Sequence, residues 1–243
     1  MEPVTVEAQA ALVAAMAATT VAYAAYTVAA DAWGRRGATG VVRCGPAVPK
    51  VAITFDDGPS PHYTPALLEL LDQTGAKASF FLTGRAAAAH PSIVRRIAAS
   101  GHTVGVHTWR HRHAWLTAPW EVGRDLTRCA AVVGSLTGQV PRWFRPPWGT
   151  FNLATLTCPG RLGQRIVLWS VNSEDWRYDA TPGHICEQVG AGLGQGAIVL
   201  MHDGCPRPGA GDRMLAALPR VIEQCSRAGL QPVTLDEMFE GEA

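Results

Sequence analysis

Five times between Val51 and Gly204 a short apolar run stops abruptly and gives way to polar or charged residues. Val51–Phe55 leads into Asp56, Asp57 and Gly58, and Thr103–Val106 leads into the segment His107–His111. Trp143–Phe144 leads into Arg145–Gly149, Ile166–Val171 into Asn172–Trp176, and Ala197–Met201 into His202–Gly204. Between these runs, Pro65–Thr74, Pro91–Ser100, Pro119–Thr137, Thr181–Leu193 and Gly211–Ala228 carry apolar residues at helical spacing. Several begin at or near Pro, and Ser100-Gly101 and Ala228-Gly229 supply helix stops. Strands alternating with helices imply a parallel sheet with helices outside it. Ala78–Leu82 and Gln231–Thr234 are two further strand candidates, so the count comes close to a closed barrel. In such a barrel the active site lies at the C-terminal ends of the strands. The five polar clusters then converge on one mouth.

A chain of 243 residues is long enough for one buried core in a single domain. The formal net charge of +1 and the lack of a long basic run argue against a nucleic-acid partner. None of the six cysteines, Cys44, Cys129, Cys158, Cys186, Cys205 and Cys225, forms a Cys-x-x-Cys pair. A structural zinc site built from thiolates is therefore not indicated, and isolated small core residues are the simpler reading.

Ala8–Ala30 contains no charged residue and is long enough to cross a bilayer as a helix. It is rich in alanine, so a helix lying on the soluble domain is the competing reading. Residues 1–33 form this Ala-rich helix, a candidate membrane attachment. Residues 34–49, rich in Gly and Pro, read as a linker, and 50–240 form the main domain. Glu2 and Glu7 before the segment, and Arg35, Arg36 and Arg43 after it, would by the positive-inside tendency leave the main domain on the cytoplasmic side, against an outward-facing domain.

His107 and His111 stand four residues apart, and Asp57 ends another strand. Two imidazoles and one carboxylate leave coordination positions open on a metal such as zinc, as a catalytic site requires. Bound zinc brings the pKa of water to about 7. The segment lacks the Glu of a His-Glu-x-x-His helix. His62, His90, His102, His113 and His184 fall in turns or near helix ends and read as structural or exposed. Taken alone, Asp56–Pro59 is an ordinary turn and Arg145–Trp148 a rigid loop. Their common position after strands is what sets them apart.

Thr54–Ser60, His107–His111, Arg145–Gly149, Asp175-Trp176 and Leu200–His202 together resemble, in order, the five motifs of the polysaccharide deacetylases, carbohydrate esterase family 4. The resemblance covers about Val51 to Phe239. It implies a distorted (β/α) barrel of 7–8 repeats, here preceded by the N-terminal apolar helix. It also implies a divalent metal held by Asp57, His107 and His111; zinc is the first choice, with cobalt, nickel or manganese as alternatives. In that scheme Asp56 is the general base and Arg145 positions it. His202 is the general acid, and the backbone N–H of Trp148 helps to stabilise the oxyanion. Trp176 and Leu200 shape the acetyl pocket, with Asp175 beside them. The implied reaction is hydrolysis of N-acetyl groups on amino sugars of a polysaccharide or oligosaccharide such as peptidoglycan or chitin, at the cell envelope.

One position departs from the family pattern. Asn172 stands where the first of two Asp residues is usual, and Asp175 remains as the second. Asn offers hydrogen bonds but no negative charge, so a less basic His202 is expected, with Glu174 or Asp203 as candidates to compensate. Two alternatives stand beside the N-deacetylase: an esterase acting on O-acetylated sugars such as xylan, since the same site can cleave an easier bond, and a catalytically impaired metal or glycan binder, which Asn172 keeps open.

Overall fold

The computed structural model describes residues 5–38 and 40–241; Glu2, used above in the orientation argument, lies outside them. In chain order, helix α1 (Val6–Ala24) passes through a π-helical turn at Ala25–Ala29 into α2 (Ala30–Gly37). Strands β1 (Val41–Val42) and β2 (Lys50–Asp56), α3 (Thr64–Thr74), β3 (Ala78–Leu82), α4 (Gly84–Ala89) and α5 (Pro91–Ala99) follow. Next come β4 (Thr103–Val106), α6 (Pro119–Thr137), β5 (Trp143–Phe144), α7 (Leu153–Arg161), β6 (Arg165–Val167) and β7 (Val171–Asn172). The chain closes with α8 (Pro182–Gly192), β8 (Ile198–His202), α9 (Ala210–Arg227), β9 (Gln231–Pro232) and α10 (Leu235–Met238).

The strands run parallel in the order β1-β6-β5-β4-β3-β2-β8-β7, with β9 paired to the start of β2. This is a curled (β/α) sheet whose edge strands, β1 and β7, are not paired with each other. Alternation along each strand sorts side chains to its two faces. On β2, Val51, Ile53 and Phe55 pack outward with the helices, while Ala52 joins the inner cluster. Thr54 and Asp56 continue that inner face toward the mouth. On β8, Val199 and Met201 belong to the outer core and Ile198 to the inner one. Leu235, Met238 and Phe239, on and beside α10, join Phe81 and Trp143 in the inner cluster. The inner face is therefore apolar at the bottom and polar at the mouth.

Helix ends follow local chemistry. α3 and α6 open on Pro65 and Pro119, whose fixed φ suits a first turn. Each ends at a glycine in the left-handed region, Gly75 (φ 70°) and Gly138 (φ 74°). The five helices expected from apolar spacing are found within a residue or so of their sequence bounds.

One expectation is corrected. Ile166–Val171 does not form a single strand: β6 ends at Val167 and β7 begins at Val171. The reason is a buried side chain. The Arg145 guanidinium donates to the carbonyls of Val167 (3.4 Å) and Leu168 (2.9 Å), acceptors that a continuous strand would offer to a neighbour.

The segment Val6–Gly37 is long and apolar enough to cross a membrane by length and composition. Its first part, α1, buries no side chain. From the last turn of α1 onward the segment lies against the barrel: Tyr23 Oη donates to Trp115 O (2.9 Å), Tyr26 Oη donates to Thr117 O (3.1 Å), and Thr27 is fully buried. Within 34–49, α2 runs on to Gly37, and β1 pairs with β6.

Candidate active site

The strand ends bring the candidate residues to one mouth. Register places Asp56 directly opposite His202 and Thr54 opposite Leu200 on neighbouring strands β2 and β8. His107 follows β4, Arg145 follows β5, and Asn172 ends β7. Together they line or underlie a cavity of about 760 Å³, bounded by Asp56, Asp57, His107, His111, Trp148 and His202 among others. That is room for a sugar unit. Among the described residues, the non-glycine positions with left-handed backbone are Asp57 (φ 73°), Thr108 (φ 65°), His111 (φ 50°), Trp148 (φ 54°) and Glu174 (φ 55°). All lie on these mouth loops. Such conformations cost about 1–3 kcal/mol each and cluster where function requires them.

The two adjacent carboxylates diverge because Asp56 is extended while Asp57 turns left-handed. The redirection thus falls at Asp57 itself, one residue before the expected turn at Gly58-Pro59. Gly204 must be glycine here, since a Cβ would strike the Asp57 carbonyl.

Asp57, His107 and His111 present ligand atoms that all lie within 4.8 Å of one another. Asp57 Oδ1 lies 3.0 Å from His111 Nε2 and 3.4 Å from His107 Nε2, yet neither contact has hydrogen-bond geometry, and the oxygen is buried without a partner. A cation between the three would satisfy it. The far side of the His107 ring supports that fit. Its Nδ1 lies 2.7 Å from the Arg145 carbonyl, which can only accept, so the Nδ1–H donates and Nε2 is left as the bare nitrogen facing Asp57. Burial pushes the Asp57 carboxyl upward, but the two facing imidazoles outweigh this and hold it well below the usual carboxylate range. The donor set and its geometry fit a divalent metal.

Arg145 is fully buried and ion-pairs with Asp56 (Nη1–Oδ1 2.7 Å). The same Nη1 donates to Thr54 Oγ1 (2.7 Å), and Thr54 in turn donates to Val199 O (2.6 Å). With the carbonyls of Val167 and Leu168, the guanidinium is held on every side, and its carbon lies 4.2 Å from the centre of the Phe81 ring. Thr54 and Phe81 were not singled out in the sequence; their place on the inner face of β2 and β3 is the signal that could have found them.

Across the mouth, Asp175 accepts twice from His202, from the backbone N–H (2.7 Å) and from ring Nδ1 (2.8 Å). Nε2 is then the ring atom free to exchange a proton. Burial alone would lower the His202 pKa, but Asp175 and then the charges of Asp56 and Asp57 raise it to about 9. Asn172 Oδ1 accepts the Glu174 N–H (3.0 Å), and the carboxylate on His202 is supplied by Asp175. Neither proposed substitute takes that role. Glu174 pairs with Arg177 (3.3 Å) and His184 (3.2 Å). Asp203 is buried behind Gly58 on the Thr64 hydroxyl, and burial raises its pKa to about 7.

Trp148 stands half exposed, its ring centre 4.3 Å from that of His111. Trp176 and Leu200 line the same cavity, joined by Trp169, Cys205 and Arg207. Of the remaining histidines, His102 is buried and accepts the Ala78 N–H, and His113 accepts the Trp115 N–H beside Trp148. Cys129, Cys186 and Cys225 are buried and unpaired; Cys44, Cys158 and Cys205 are also free thiols.

A parallel (β/α) sheet with an Asp-His-His cluster and a second carboxylate at its mouth has the architecture of a metal-dependent hydrolase site. The polysaccharide deacetylase family model matches residues 45–167, and the chain belongs to that family. Over 200 residues it is 35% identical to a peptidoglycan-N-acetylglucosamine deacetylase of Listeria monocytogenes, covering 80% of this chain and 41% of that protein. The chain thus spans about two-fifths of the length of that relative. It is 36% identical over 193 residues to a chitooligosaccharide deacetylase of Bradyrhizobium, covering 74% of this chain and 86% of that one. A crystal structure of a peptidoglycan N-acetylglucosamine deacetylase bound to 4-naphthalen-1-yl-N-oxidanyl-benzamide superposes with a TM-score of 0.79 at 32% identity, covering 86% of this chain and 95% of that one.

Proposed function

We propose that this chain is a metal-dependent hydrolase that removes the N-acetyl group from N-acetylglucosamine-type residues of an envelope polysaccharide, peptidoglycan before chitin-type oligosaccharides. The observation that carries the reading is the meeting of three metal-ligating atoms with Asp56 and the His202–Asp175 pair in one cavity. The names of its relatives point to the same bond.

An amide is a poor electrophile, and its hydrolysis needs polarisation of the carbonyl, an activated water and a proton for the leaving nitrogen. Asp57, His107 and His111 would hold the divalent ion, for which zinc suits the ligand set, and when bound it supplies Lewis acidity and a more acidic water. Asp56, fixed by Arg145, takes the proton from the attacking water. The Trp148 N–H lies on the loop beside His111 and is the donor assigned to the developing oxyanion. His202, oriented through Nδ1 by Asp175, gives its Nε2 proton to the departing amine. Leu200 and Trp176 flank the acetyl group. We assign the catalytic barrel to residues 50–240 and envelope attachment to the apolar segment Ala8–Ala30 within 1–33, through its exposed part before Tyr23, with the barrel facing outward.

The test is acetate release from peptidoglycan and from N-acetylated chitooligosaccharide, with added zinc and with a chelator. Zinc-dependent release from either amide substrate is the expected result. Release only from O-acetylated xylan would replace this reading with the esterase. Bound zinc without any turnover would replace it with the impaired binder.

A further inference from the structure

The loop carrying Trp148 is strained and needs an anchor at each end. Trp148 (φ 54°) and Gly149 (φ 59°) are consecutive left-handed residues. Left-handed non-glycine backbone persists only where its surroundings over-determine it. Upstream, the buried Arg145 network fixes the chain. Inside the turn, Gly149 N–H donates to Pro146 O (2.9 Å) and Thr150 N–H to Pro147 O (3.1 Å). The downstream anchor comes from a distant part of the chain, outside the matched family region. The Phe151 N–H donates to Asp31 Oδ1 on α2 (2.7 Å).

That contact is built rather than incidental. Asp31 is buried at 9% exposure, and its other oxygen accepts Arg35 Nε (2.9 Å). The Phe151 ring is fully buried against Gly34, where a Cβ would lie 2.5 Å from Phe151 Cδ2. Arg43 donates to the Gly34 carbonyl and ties α2 to β1. The preceding turns of the same N-terminal segment reach a second support of the loop. Asn152 Nδ2 donates to Ala114 O (2.6 Å) and Thr117 O (3.1 Å), and Tyr23 and Tyr26 bind the carbonyls of Trp115 and Thr117 in that same segment.

We propose that Asp31 is a positioning residue for the Trp148 loop, so that the N-terminal helix forms part of the catalytic unit and is more than a tether. This rests on the deacetylase reading above, in which the Trp148 N–H meets the oxyanion. Such a donor acts in the transition state, so disturbing it lowers kcat and leaves KM nearly alone.

The test uses the full chain and N-acetylated chitooligosaccharide. Removal of one oxyanion donor costs about 100- to 1000-fold in kcat, so loosening its loop in Asp31→Ala is expected to cost about tenfold or more, with KM within about twofold. Asp31→Asn keeps an acceptor for the Phe151 N–H and is expected to recover most of the loss. Asp31→Ser, too short to reach Phe151, reads the same split should Asp31→Ala not fold. Equal loss in Asp31→Ala and Asp31→Asn, or a loss confined to KM, would overturn the proposal. Hydrogen exchange of the Gly149–Asn152 amides supplies a readout without turnover. Faster exchange in Asp31→Ser than in the parent supports the anchor, and unchanged exchange refutes it. If the parent chain releases no acetate, the deacetylase reading fails by itself and the exchange measurement still decides the anchor.

Discussion

Replacing Arg145 with Met tests the most buried charge in the site. The side chain is fully buried and its ion pair with Asp56 is only 2.7 Å long, with Asp56 itself nearly inaccessible. Met fills similar space but leaves the Asp56 carboxylate unpaired and the carbonyls of Val167 and Leu168 without their donor. Removing one partner of a buried pair costs about 3–5 kcal/mol, because the other charge is stranded in a poor solvent. The orphaned carbonyls overlap with that cost and are not added to it. In a domain of this size each kcal/mol shifts Tm by about 2–4 °C, so Arg145→Met is expected to melt roughly 10 °C lower. The assay is a thermal melt followed by circular dichroism in chelator, so that a bound ion does not contribute to either protein's stability. Arg227→Met is the control. That pair with Glu223 (2.7 Å) is on the surface, with side chains 75% and 54% exposed, and its loss should move Tm very little. Adding Asp56→Asn to Arg145→Met should recover part of the loss, since the stranded carboxylate is gone. If Arg145→Met melted as close to the parent as Arg227→Met does, the guanidinium would not be what holds the Asp56 side of the mouth.

Two further predictions concern pH. Asp175 is the main group raising the His202 pKa to about 9, so Asp175→Asn should lower it. An acid that must be protonated fails as pH rises through its pKa, so the alkaline limb of kcat should move down by at least about one pH unit; an unmoved limb would exclude His202 as its source. His102 behaves oppositely. Burial, helped by Lys77, lowers its pKa from 6.5 to about 4 in the fold, where its Nδ1 accepts the Ala78 N–H. Between those values the unfolded chain binds more protons than the native one, so stability falls as pH drops from about 6.5 to 4, by up to about 3 kcal/mol. Urea midpoints at pH 7 and pH 4 should separate more in the parent than in His102→Gln, and equal separations would rule His102 out.

The fold was legible because its period is simple. Apolar strands ending in polar clusters announced parallel strands and one mouth, and the alternation on β2 and β8 carries Asp56 and His202 there. The Asp57-His107-His111 cluster was legible because two histidines and an aspartate stand at strand ends. What escaped depended on contacts distant in sequence. Ile166–Val171 has the composition of one strand, and only the position of the Arg145 guanidinium shows why it splits. Asn172 reads as a missing charge until Asp175 is seen gripping both the ring and the backbone of His202. α4 is mostly alanine, without two apolar faces to read, and α7 carries Pro159 within it. Asp31 gave no signal, because a lone acidic residue in an Ala-rich helix has no pattern pointing to Phe151.

The most direct measurement is zinc content and acetate release, taken together, on Asp56→Asn, Asp57→Ala, His107→Ala and His111→Ala. Asp56→Asn is expected to keep its zinc and lose activity by at least about a hundredfold, the scale of a general base. The other variants are expected to lose the metal and the activity together. Near-normal turnover in Asp56→Asn, or full zinc occupancy in the ligand variants, would contradict the assignment of base and metal site.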